Sequence, residues 1–366
     1  MGILPFVAEL GLVDHHCHGV LRTDSDRAEF ESLLTEASSA APGTTLFDSS
    51  IGLAVRKWCA PLLDLPRHAT PEAYLERRNS LHITEVSRTF LTATGIQTYL
   101  VDGGFQPDRL LAHDELRALA DGADAFEIVR LETLAEAVKA AGTGPREFAD
   151  EVRSRLHASS AVGAKSVAAY RIGLALRGER PSDEDVARAV HEWSGSRCAS
   201  EVLTRFLVWE AIERGLPVQF HVGYGDSDAD LHRCDPLLLT DFLRATESRG
   251  VPIMLLHNYP FHRNAGYLAQ VFPHVYCDLG LATHALGHQA TRVFKEALEI
   301  VPFGKFLFSS DAFGLAELYY LGALLFRHAL SDFLSFGLKH DAFTERDAVR
   351  IARLIASENA RRVYGL

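Results

Sequence analysis

Short apolar runs alternate with amphipathic segments along most of the chain, and this alternation predicts a repeated strand–helix pattern. The apolar runs are short and nearly continuous, which is typical of parallel strands that are covered on both faces. The eight predicted strands lie just before His16 and at residues 96–102, 125–130, 162–167, 217–222, 251–257, 275–279 and 305–310.

Between these runs, apolar residues recur at helical spacing, and some segments carry start and stop signals. Ser182 is a good N-cap for the helix at 182–193, because acidic residues follow it in the first turn. Gly215 directly follows the helix at 199–214 and is suited to end it. The predicted helices cover residues 27–38, 71–79, 110–120, 131–140, 145–159, 182–193, 199–214, 236–249, 265–272 and 292–301, with further helices to the C-terminus.

Eight strand–helix units predict an α/β fold, a (β/α)8 TIM-type barrel. Residues 20–95 do not follow the repeat, and we interpret them as a helical insertion after the first strand, near the mouth of the barrel. We therefore expect residues 1–366 to form a single barrel domain with an insertion at about 20–95. A doubly wound open sheet is the alternative, but no Gly-rich phosphate-binding turn follows the first strand.

Polar side chains recur at the C-terminal ends of the predicted strands. His16 and His18 point to the same side of the first strand, because successive side chains alternate between its faces. The C-terminal ends of parallel barrel strands meet at one face, where active sites lie. Any one of these residues could be an ordinary turn residue or helix cap, but their consistent positions favour a common site. The six residues are His16, His18, Lys165, His221, His257 and Asp311.

Composition and charge narrow the class of protein. Hydrophobic residues make up 47% of the 366 residues, enough for a large core, and the net charge is -11 at pH 7. This acidic balance argues against nucleic acid or a membrane as a partner and leaves a small-molecule substrate. The five cysteines form no C-x-x-C pair, and we find no signal peptide or membrane-spanning run. We expect a soluble cytoplasmic protein, with a homo-oligomer left open.

The histidine, lysine and aspartate pattern resembles the amidohydrolase superfamily, of the amidohydrolase-2 type, in residue order and in strand position. A narrower resemblance is to the amidohydrolase domain of nodulin/FluG-type proteins, where this domain often precedes a glutamine-synthetase-like domain. The segments that carry the narrower resemblance are 163–171, 220–226, 309–312, 317–322 and 358–366.

The resemblance implies a site that contains one or two divalent metal ions. His16, His18 and Asp311 would hold a metal, and His221 and His257 would hold the same ion or a second one. Imidazole and carboxylate ligands suit Zn, and also Mn, Fe or Ni. Lys165 would either be carboxylated and bridge two ions, or stay unmodified beside one ion.

The resemblance also implies roles in catalysis and substrate binding. Asp311 would act as general base and then acid, and His257 would ligate the metal or stabilise the oxyanion. Arg171 suits a substrate carboxylate, although a salt bridge to a nearby acid would explain it equally well. Tyr170 is a further candidate for substrate binding, although simple packing would also explain it.

Together these residues predict a metal-dependent hydrolase that cleaves a C–N (amide) bond of a small polar substrate with metal-activated water. The association with glutamine-synthetase-like domains suggests a γ-glutamyl amide as substrate. A metal-dependent non-oxidative decarboxylase of the same superfamily is the alternative enzyme, and a non-catalytic metal-binding protein is the third hypothesis.

Overall fold

Seven parallel strands in sequence order form the central sheet of the computed structural model, which describes residues 2–37 and 39–366. Every strand except the third is buried along most of its length, as expected for strands covered on both faces. The strands are β1 (Leu12–Cys17), β2 (Ile96–Asp102), β3 (Asp124–Arg130), β4 (Gly163–Ser166), β5 (Val218–Val222), β6 (Ile253–His257) and β7 (Val275–Cys277).

Helices surround this sheet and fill the connections between its strands. They are α1 (Pro5–Ala8), α2 (Arg27–Ser32), α3 (Ser50–Ala54), α4 (Pro71–Asn79), α5 (Ile83–Ala93), α6 (His113–Leu119), α7 (Leu131–Ala140), α8 (Phe148–Ala158), α9 (Asp183–Glu192), α10 (Glu201–Glu213), α11 (Thr240–Thr246), α12 (His262–Val271), α13 (Gly280–Ala285), α14 (Ala290–Ala297), α15 (Ala316–Lys339), α16 (Glu345–Arg353) and α17 (Asn359–Tyr364).

The predicted eighth strand at residues 305–310 is wrong as a regular strand, although an extended segment occupies its place. Leu307 donates its N–H to the Cys277 carbonyl on β7, and the His15 N–H of β1 donates to the Phe308 carbonyl. The pairing is interrupted at Ser310, whose N–H donates to the side chain of Asp14 (2.8 Å), and it resumes where the Asp311 N–H donates to the His16 carbonyl (3.0 Å). We call residues 306–311 the closing segment, since it joins β7 to β1 and completes the barrel.

Helices α2 to α5 lie between β1 and β2, in the region predicted to be a helical insertion. The helix predicted at 27–38 ends at Ser32, and α3 and α5 were not predicted. Helix α5 packs on the long helix α15, where the rings of Phe90 and Tyr320 are 6.0 Å apart. A buried ion pair between Arg78 and Glu317 joins α4 to the same helix.

Two helix termini behave as the sequence predicts, and one predicted helix is divided. The Ser182 side chain accepts the Asp185 N–H at the start of α9, and Gly215 adopts a left-handed φ of 75° after α10. The segment predicted as one helix at 236–249 contains α11 between two 3-10 turns. No helix among residues 2–37 and 39–366 combines the length and the apolar character that crossing a membrane requires.

An apolar cluster fills one end of the barrel interior and leaves the other end to polar residues. Its members include Val13, Leu100, Met254 and Leu256 from the strands, together with Tyr364 of α17. Helix α17 thus packs against the strand interior at the end opposite the strand termini that carry the histidines. The polar site is therefore supported from below by a packed apolar layer.

Candidate metal centre and substrate cavity

Three side chains meet at the C-terminal ends of the strands. His16 is on β1, His18 follows it, and Asp311 ends the closing segment. The Nε2 atoms of His16 and His18 lie 3.0 and 3.5 Å from the Asp311 Oδ1 atom. All three are buried, and their potential ligand atoms lie within 4.8 Å of one another. We call this group the His–His–Asp cluster.

His257 and His221 lie beside the cluster, in different surroundings. The Nδ1 atom of His257 is 3.4 Å from Asp311 Oδ2, yet neither of its buried ring nitrogens has a hydrogen-bond partner among the described residues. The ring of His221 is 4.7 Å from that of His257. Its nitrogens face the Tyr224 carbonyl (3.1 Å) and the Tyr170 hydroxyl (3.4 Å). Of these two histidines, His257 is therefore the one whose ring nitrogens have no hydrogen-bond partner among the described residues.

Lys165 reaches the cluster from β4. Its Nζ atom lies 3.1 Å from His16 Nε2, and the side chain is buried. Burial is the main cause that lowers the pKa of Lys165, to about 8. The lysine thus lies where the sequence predicts it, and its carboxylation remains a prediction.

Hydrogen bonds orient the two histidines of the cluster. Gln219 on β5 uses its amide NH2 to donate to the His15 carbonyl (2.7 Å) and to the Tyr364 hydroxyl (2.8 Å). Its Oε1 atom therefore accepts from His16 Nδ1 (2.8 Å), and Nε2 of His16 keeps a free lone pair. His18 Nδ1 lies 3.0 Å from the Asp102 carbonyl in the same way. Both rings thus present Nε2 towards Asp311.

Asp278, just after β7, holds the backbone around His257. Its Oδ1 atom accepts the His257 N–H (2.6 Å), and its Oδ2 atom contacts His15 Nε2 (2.7 Å) and Ser309 Oγ (2.8 Å). His257 has a φ of 69°, a left-handed conformation that needs such support in a residue other than glycine. Asp278 thereby fixes the direction of the unengaged imidazole.

The protonation states suit a cation between these side chains. Burial lowers the pKa of His16 to about 3 and that of His257 to about 4, so both rings are neutral at pH 7. Burial would raise the pKa of Asp311, but the imidazoles of His257, His16 and His18 outweigh it and hold that pKa well below its usual range. Neutral imidazoles around an ionised carboxylate are the forms that ligate metals.

These observations together fit a divalent metal ion. The cluster offers two imidazole nitrogens whose opposite ring nitrogens are already hydrogen-bonded, which is the usual arrangement of metal-ligating histidines. It also offers a carboxylate, and the ring nitrogens of the buried His257 beside it have no hydrogen-bond partner in residues 2–37 and 39–366. The structure therefore contains a candidate metal site of His16, His18 and Asp311.

A cavity of about 250 Å3 opens onto this cluster. Arg171 and Tyr170, whose role in substrate binding stays a prediction, line it together with Arg130, a residue that the sequence analysis missed. The residues around the cavity are His18, Glu36, Phe105, Arg130, Lys165, Val167, Tyr170, Arg171, Arg197, His221, Asp226, Asp228, His257, Leu281, Asp311 and Phe313. A larger cavity of about 520 Å3 lies elsewhere, beside Trp58 and α14, but none of the six predicted strand-end residues reaches it.

Arg171, on the loop after β4, has a weaker ion-pair partner than Arg130 at the end of β3. Its Nη2 atom is 3.4 Å from Glu136, and its buried Nε–H has no acceptor among the described residues. Arg130 is instead held at 2.6 Å by Asp102. Arg171 therefore retains capacity for a further anion, while the predicted salt bridge to a nearby acid is also present.

Several residues of the site escaped sequence reasoning. Asp102 and Arg130 are the last residues of β2 and β3, so their positions carried a usable signal. Gln219 lies within β5, two residues before His221. The positions of Glu36 and Tyr364 gave no signal in the sequence, because Glu36 reaches the site from a loop after α2 and Tyr364 from the last helix. Their contacts join parts of the chain that are far apart in sequence.

Comparison with known proteins identifies the relatives of this chain. A family model described as amidohydrolase matches residues 64–366. Protein fluG of Emericella nidulans is 26% identical over 409 residues, an alignment that covers 97% of this chain and 46% of that protein. The chain thus spans less than half the length of this curated relative.

Solved structures give a consistent result. A candidate metal-dependent hydrolase from Lactobacillus casei ATCC 334 is 30% identical, with a TM-score of 0.79 over 100% of this chain and 98% of that one. The uronate isomerase of Thermotoga maritima is 11% identical, with a TM-score of 0.64 over 98% and 95% of the two chains. The glucuronate isomerase of Caulobacter crescentus is 13% identical, with a TM-score of 0.67 over 98% and 92%. At such low identity the two isomerases show the shared fold alone.

Proposed function

This chain belongs to the amidohydrolase family, and from that premise we propose that it is a metal-dependent hydrolase that cleaves a C–N bond of a small polar molecule. The observation that supports this most strongly is the buried His–His–Asp cluster at the floor of a cavity. Family membership and the similarity to a candidate metal-dependent hydrolase support an enzyme. The bond and the substrate are our proposal.

In this proposal His16, His18 and Asp311 hold one divalent ion, and His257 faces the substrate. A bound ion supplies Lewis acidity, and Zn²⁺ is the ion we expect for imidazole and carboxylate ligands. The unmodified ammonium of Lys165, close to His16 Nε2, favours a single ion by repelling a second. A carbamate on Lys165 would reverse that preference.

Hydrolysis of an amide needs a base for water and an acid for the leaving amine. The water oxygen bonds to the carbonyl carbon, the C–N bond breaks, and the amine departs with one proton, which leaves a carboxylic acid. Asp311 accepts the proton from water and passes it to the leaving nitrogen. The neutral His257 donates its ring N–H to the carbonyl oxygen as negative charge develops there.

The substrate we propose is an amide that also carries a carboxylate, and a γ-glutamyl amide is such a molecule. The unpartnered Nε–H of Arg171 supports this, because a guanidinium can meet a carboxylate with two parallel hydrogen bonds. The resemblance of segments 163–171 and 220–226 to FluG-type domains points in the same direction. Non-oxidative decarboxylation is the second candidate, since one ion beside an unmodified lysine is compatible with it.

The test is amine release from a panel of γ-glutamyl and simple amides by metal-loaded enzyme, before and after chelation. We expect amine release that chelation abolishes and that added Zn²⁺ restores. Carbon dioxide released from unsaturated or aromatic acids, without amine from any amide, would establish the decarboxylase instead. If neither assay shows turnover, the third hypothesis, a non-catalytic metal-binding protein, is the one that stands.

A variant of Asp311 tests the proposed base. Asp311→Asn keeps the shape of the side chain and one ligating oxygen but removes the base, so we expect turnover to fall by about 10²–10⁴ with part of the metal retained. Asp121→Asn, at an exposed position away from the cavity, is the matched control. Turnover by Asp311→Asn near that of the control would refute the role of Asp311.

A further inference from the structure

Most charged side chains around the site cavity already have a partner of opposite sign. The three arginines are each paired with a carboxylate, and Asp311 lies among imidazoles. The pairs are Arg130 with Asp102 at 2.6 Å, Arg197 with Asp228 at 2.7 Å, and Arg171 with Glu136 at 3.4 Å. A substrate that enters the cavity therefore meets few unbalanced charges.

Lys165 lacks a carboxylate partner among the described residues and contacts His16 Nε2 (3.1 Å). The acids without an ion-pair partner are Glu36 and Asp226. Both line the cavity, and neither forms an ion pair with any residue in 2–37 or 39–366. Asp226 uses one carboxylate oxygen to accept the Asp228 N–H (2.8 Å), which leaves its negative charge uncompensated. Burial, with smaller contributions from the charges of Asp311 and Asp226, raises the pKa of Glu36 to about 8. The cavity wall thus contains two acids that have no ion-pair partner among the described residues and that could accept hydrogen bonds from a cationic group of a ligand.

The same cavity offers a complementary group nearby. Arg171 and His257 both line it, and within the described part of the chain neither the buried Nε–H of Arg171 nor the two ring nitrogens of His257 have a hydrogen-bond partner. An α-amino acid head group carries an ammonium and a carboxylate on one carbon atom, so it can meet two acids and an arginine together. His257 and the His–His–Asp cluster would then face the amide at the other end of the molecule.

We propose that Glu36 and Asp226 bind the ammonium group of the substrate, which is therefore an amide of an α-amino acid and not of a plain dicarboxylic acid. An ammonium donates three hydrogen bonds, and two carboxylates can accept them. This inference deepens the proposed function and rests on it for the position of the amide. Glu36, on the loop after α2, is the residue that determines this specificity.

Binding of L-glutamate and of glutarate tests the proposal without turnover. The two ligands have the same carbon chain and the same two carboxylates, and L-glutamate alone has the ammonium group. Calorimetric titration of metal-loaded enzyme should show L-glutamate binding at least about tenfold more tightly, the scale of one charge-assisted hydrogen bond. Equal affinities, or tighter binding of glutarate, would overturn the proposal.

The variant that isolates the effect is Glu36→Gln, which keeps the size of the side chain and removes its ionisable carboxyl group. We expect it to remove most of the preference for L-glutamate, and the further change Asp226→Asn to abolish what remains. Glu76→Gln makes the same chemical change at an exposed position on α4 and should leave the preference intact. A preference that survives in the double variant would overturn the proposal, as would a lower metal content in Glu36→Gln.

Kinetics with two chromogenic amides separate this proposal from the proposed function. γ-Glutamyl-4-nitroanilide carries the ammonium group and glutaryl-4-nitroanilide does not, while both contain the same amide. If both are hydrolysed, Glu36→Gln should raise the KM for the first relative to the KM for the second by about ten- to a hundred-fold. Equal losses on both substrates would contradict the role of Glu36 but not hydrolysis. Hydrolysis of neither substrate would count against the proposed function, and the binding experiment would still decide the role of Glu36.

Discussion

Gln219 determines which nitrogen of His16 faces the candidate metal site. Its amide NH2 is committed to two oxygens, so its carbonyl oxygen must accept from His16 Nδ1. Hydrogen-bonded partners of metal-ligating histidines typically change metal affinity by 10–100-fold when they are lost. The buried amide thus acts on the metal site through a neighbouring ring.

We therefore expect Gln219→Met to weaken metal binding by about 10–100-fold while the protein stays folded. Gln219→Glu keeps an acceptor for His16 Nδ1 and should retain more of the affinity than Gln219→Met. Metal titration with a competing chelator measures both variants, and circular dichroism confirms the fold. Equal affinity in the wild type and Gln219→Met would show that the amide has only a packing role.

Arg171 gives a second test of the substrate class. Arg171→Lys keeps the charge but removes the planar pair of donors, so it should raise KM for a carboxylate-bearing amide by about ten- to a hundred-fold. An uncharged amide should lose much less. The ratio of kcat/KM for the two substrates is the measurement. Equal losses would mean that the pair with Glu136 is the whole role of Arg171.

Residues that follow a strand were predictable from sequence, because the barrel places all strand ends at one face. His16, His18, Lys165, His257 and Asp311 come together for this reason. Glu36 and Tyr364 were not predictable, since no local pattern connects residue 36 or 364 to the strand ends. Their places depend on how the loop after α2 and the final helix pack.

The closing segment explains why the eighth strand was predicted and not formed. Its apolar run has the composition of a strand, and it does lie between β7 and β1. At Ser310, the backbone N–H and the side-chain hydroxyl donate to the Asp14 carboxylate in place of backbone pairing, and Asp311 adopts a left-handed φ of 51°. Asp311 reaches the His–His–Asp cluster from this irregular backbone.

The α4 helix is held to α15 by a charge pair that water does not reach. Arg78 Nε lies 2.6 Å from Glu317 Oε1, and Tyr74 donates its hydroxyl to the same oxygen. Glu317→Gln would leave the Arg78 charge buried and unpaired, so we expect a loss of about 3–5 kcal/mol in the free energy of unfolding. Urea denaturation measures this loss.

The double variant Arg78→Met/Glu317→Gln is the control for that prediction. It removes both charges, so it should be more stable than Glu317→Gln alone, because no buried charge remains unpaired. A double variant as unstable as the single one would mean that packing of these side chains, and not their charge, holds the two helices together.

Buried neutral histidines make the stability of the fold depend on pH. Burial, with a smaller effect of Lys305, lowers the pKa of His274 from 6.5 to about 4. Between pH 4 and 6.5 the unfolded chain therefore binds a proton at His274 that the folded protein does not bind. The contribution of His274 to the free energy of unfolding is therefore fully present above pH 6.5 and is lost as the pH falls towards 4. Burial raises the pKa of Asp14 from 3.8 to about 7, so between these pH values the folded protein binds a proton at Asp14 that the unfolded chain does not bind. The contribution of Asp14 to the free energy of unfolding is therefore lost as the pH rises towards 7.

His274→Asn should accordingly reduce the gain in unfolding free energy between pH 5 and pH 7. His274 lies outside the metal site, so metal binding does not obscure the comparison. Urea denaturation at both pH values measures the gain, and His157→Asn at an exposed position is the control. An unchanged gain in His274→Asn would show that His274 takes up a proton in the folded protein as readily as in the unfolded chain.

Metal content measures most directly whether the His–His–Asp cluster is the site of the ion. The wild type, the double variant His16→Ala/His18→Ala and the control His157→Asn are purified identically and analysed for bound metal. We expect one divalent ion per chain in the wild type and the control. The double variant should contain almost none while it keeps its circular dichroism spectrum, because the apolar layer beneath the site is intact. Equal metal content in the wild type and a folded double variant would contradict the assignment of the site.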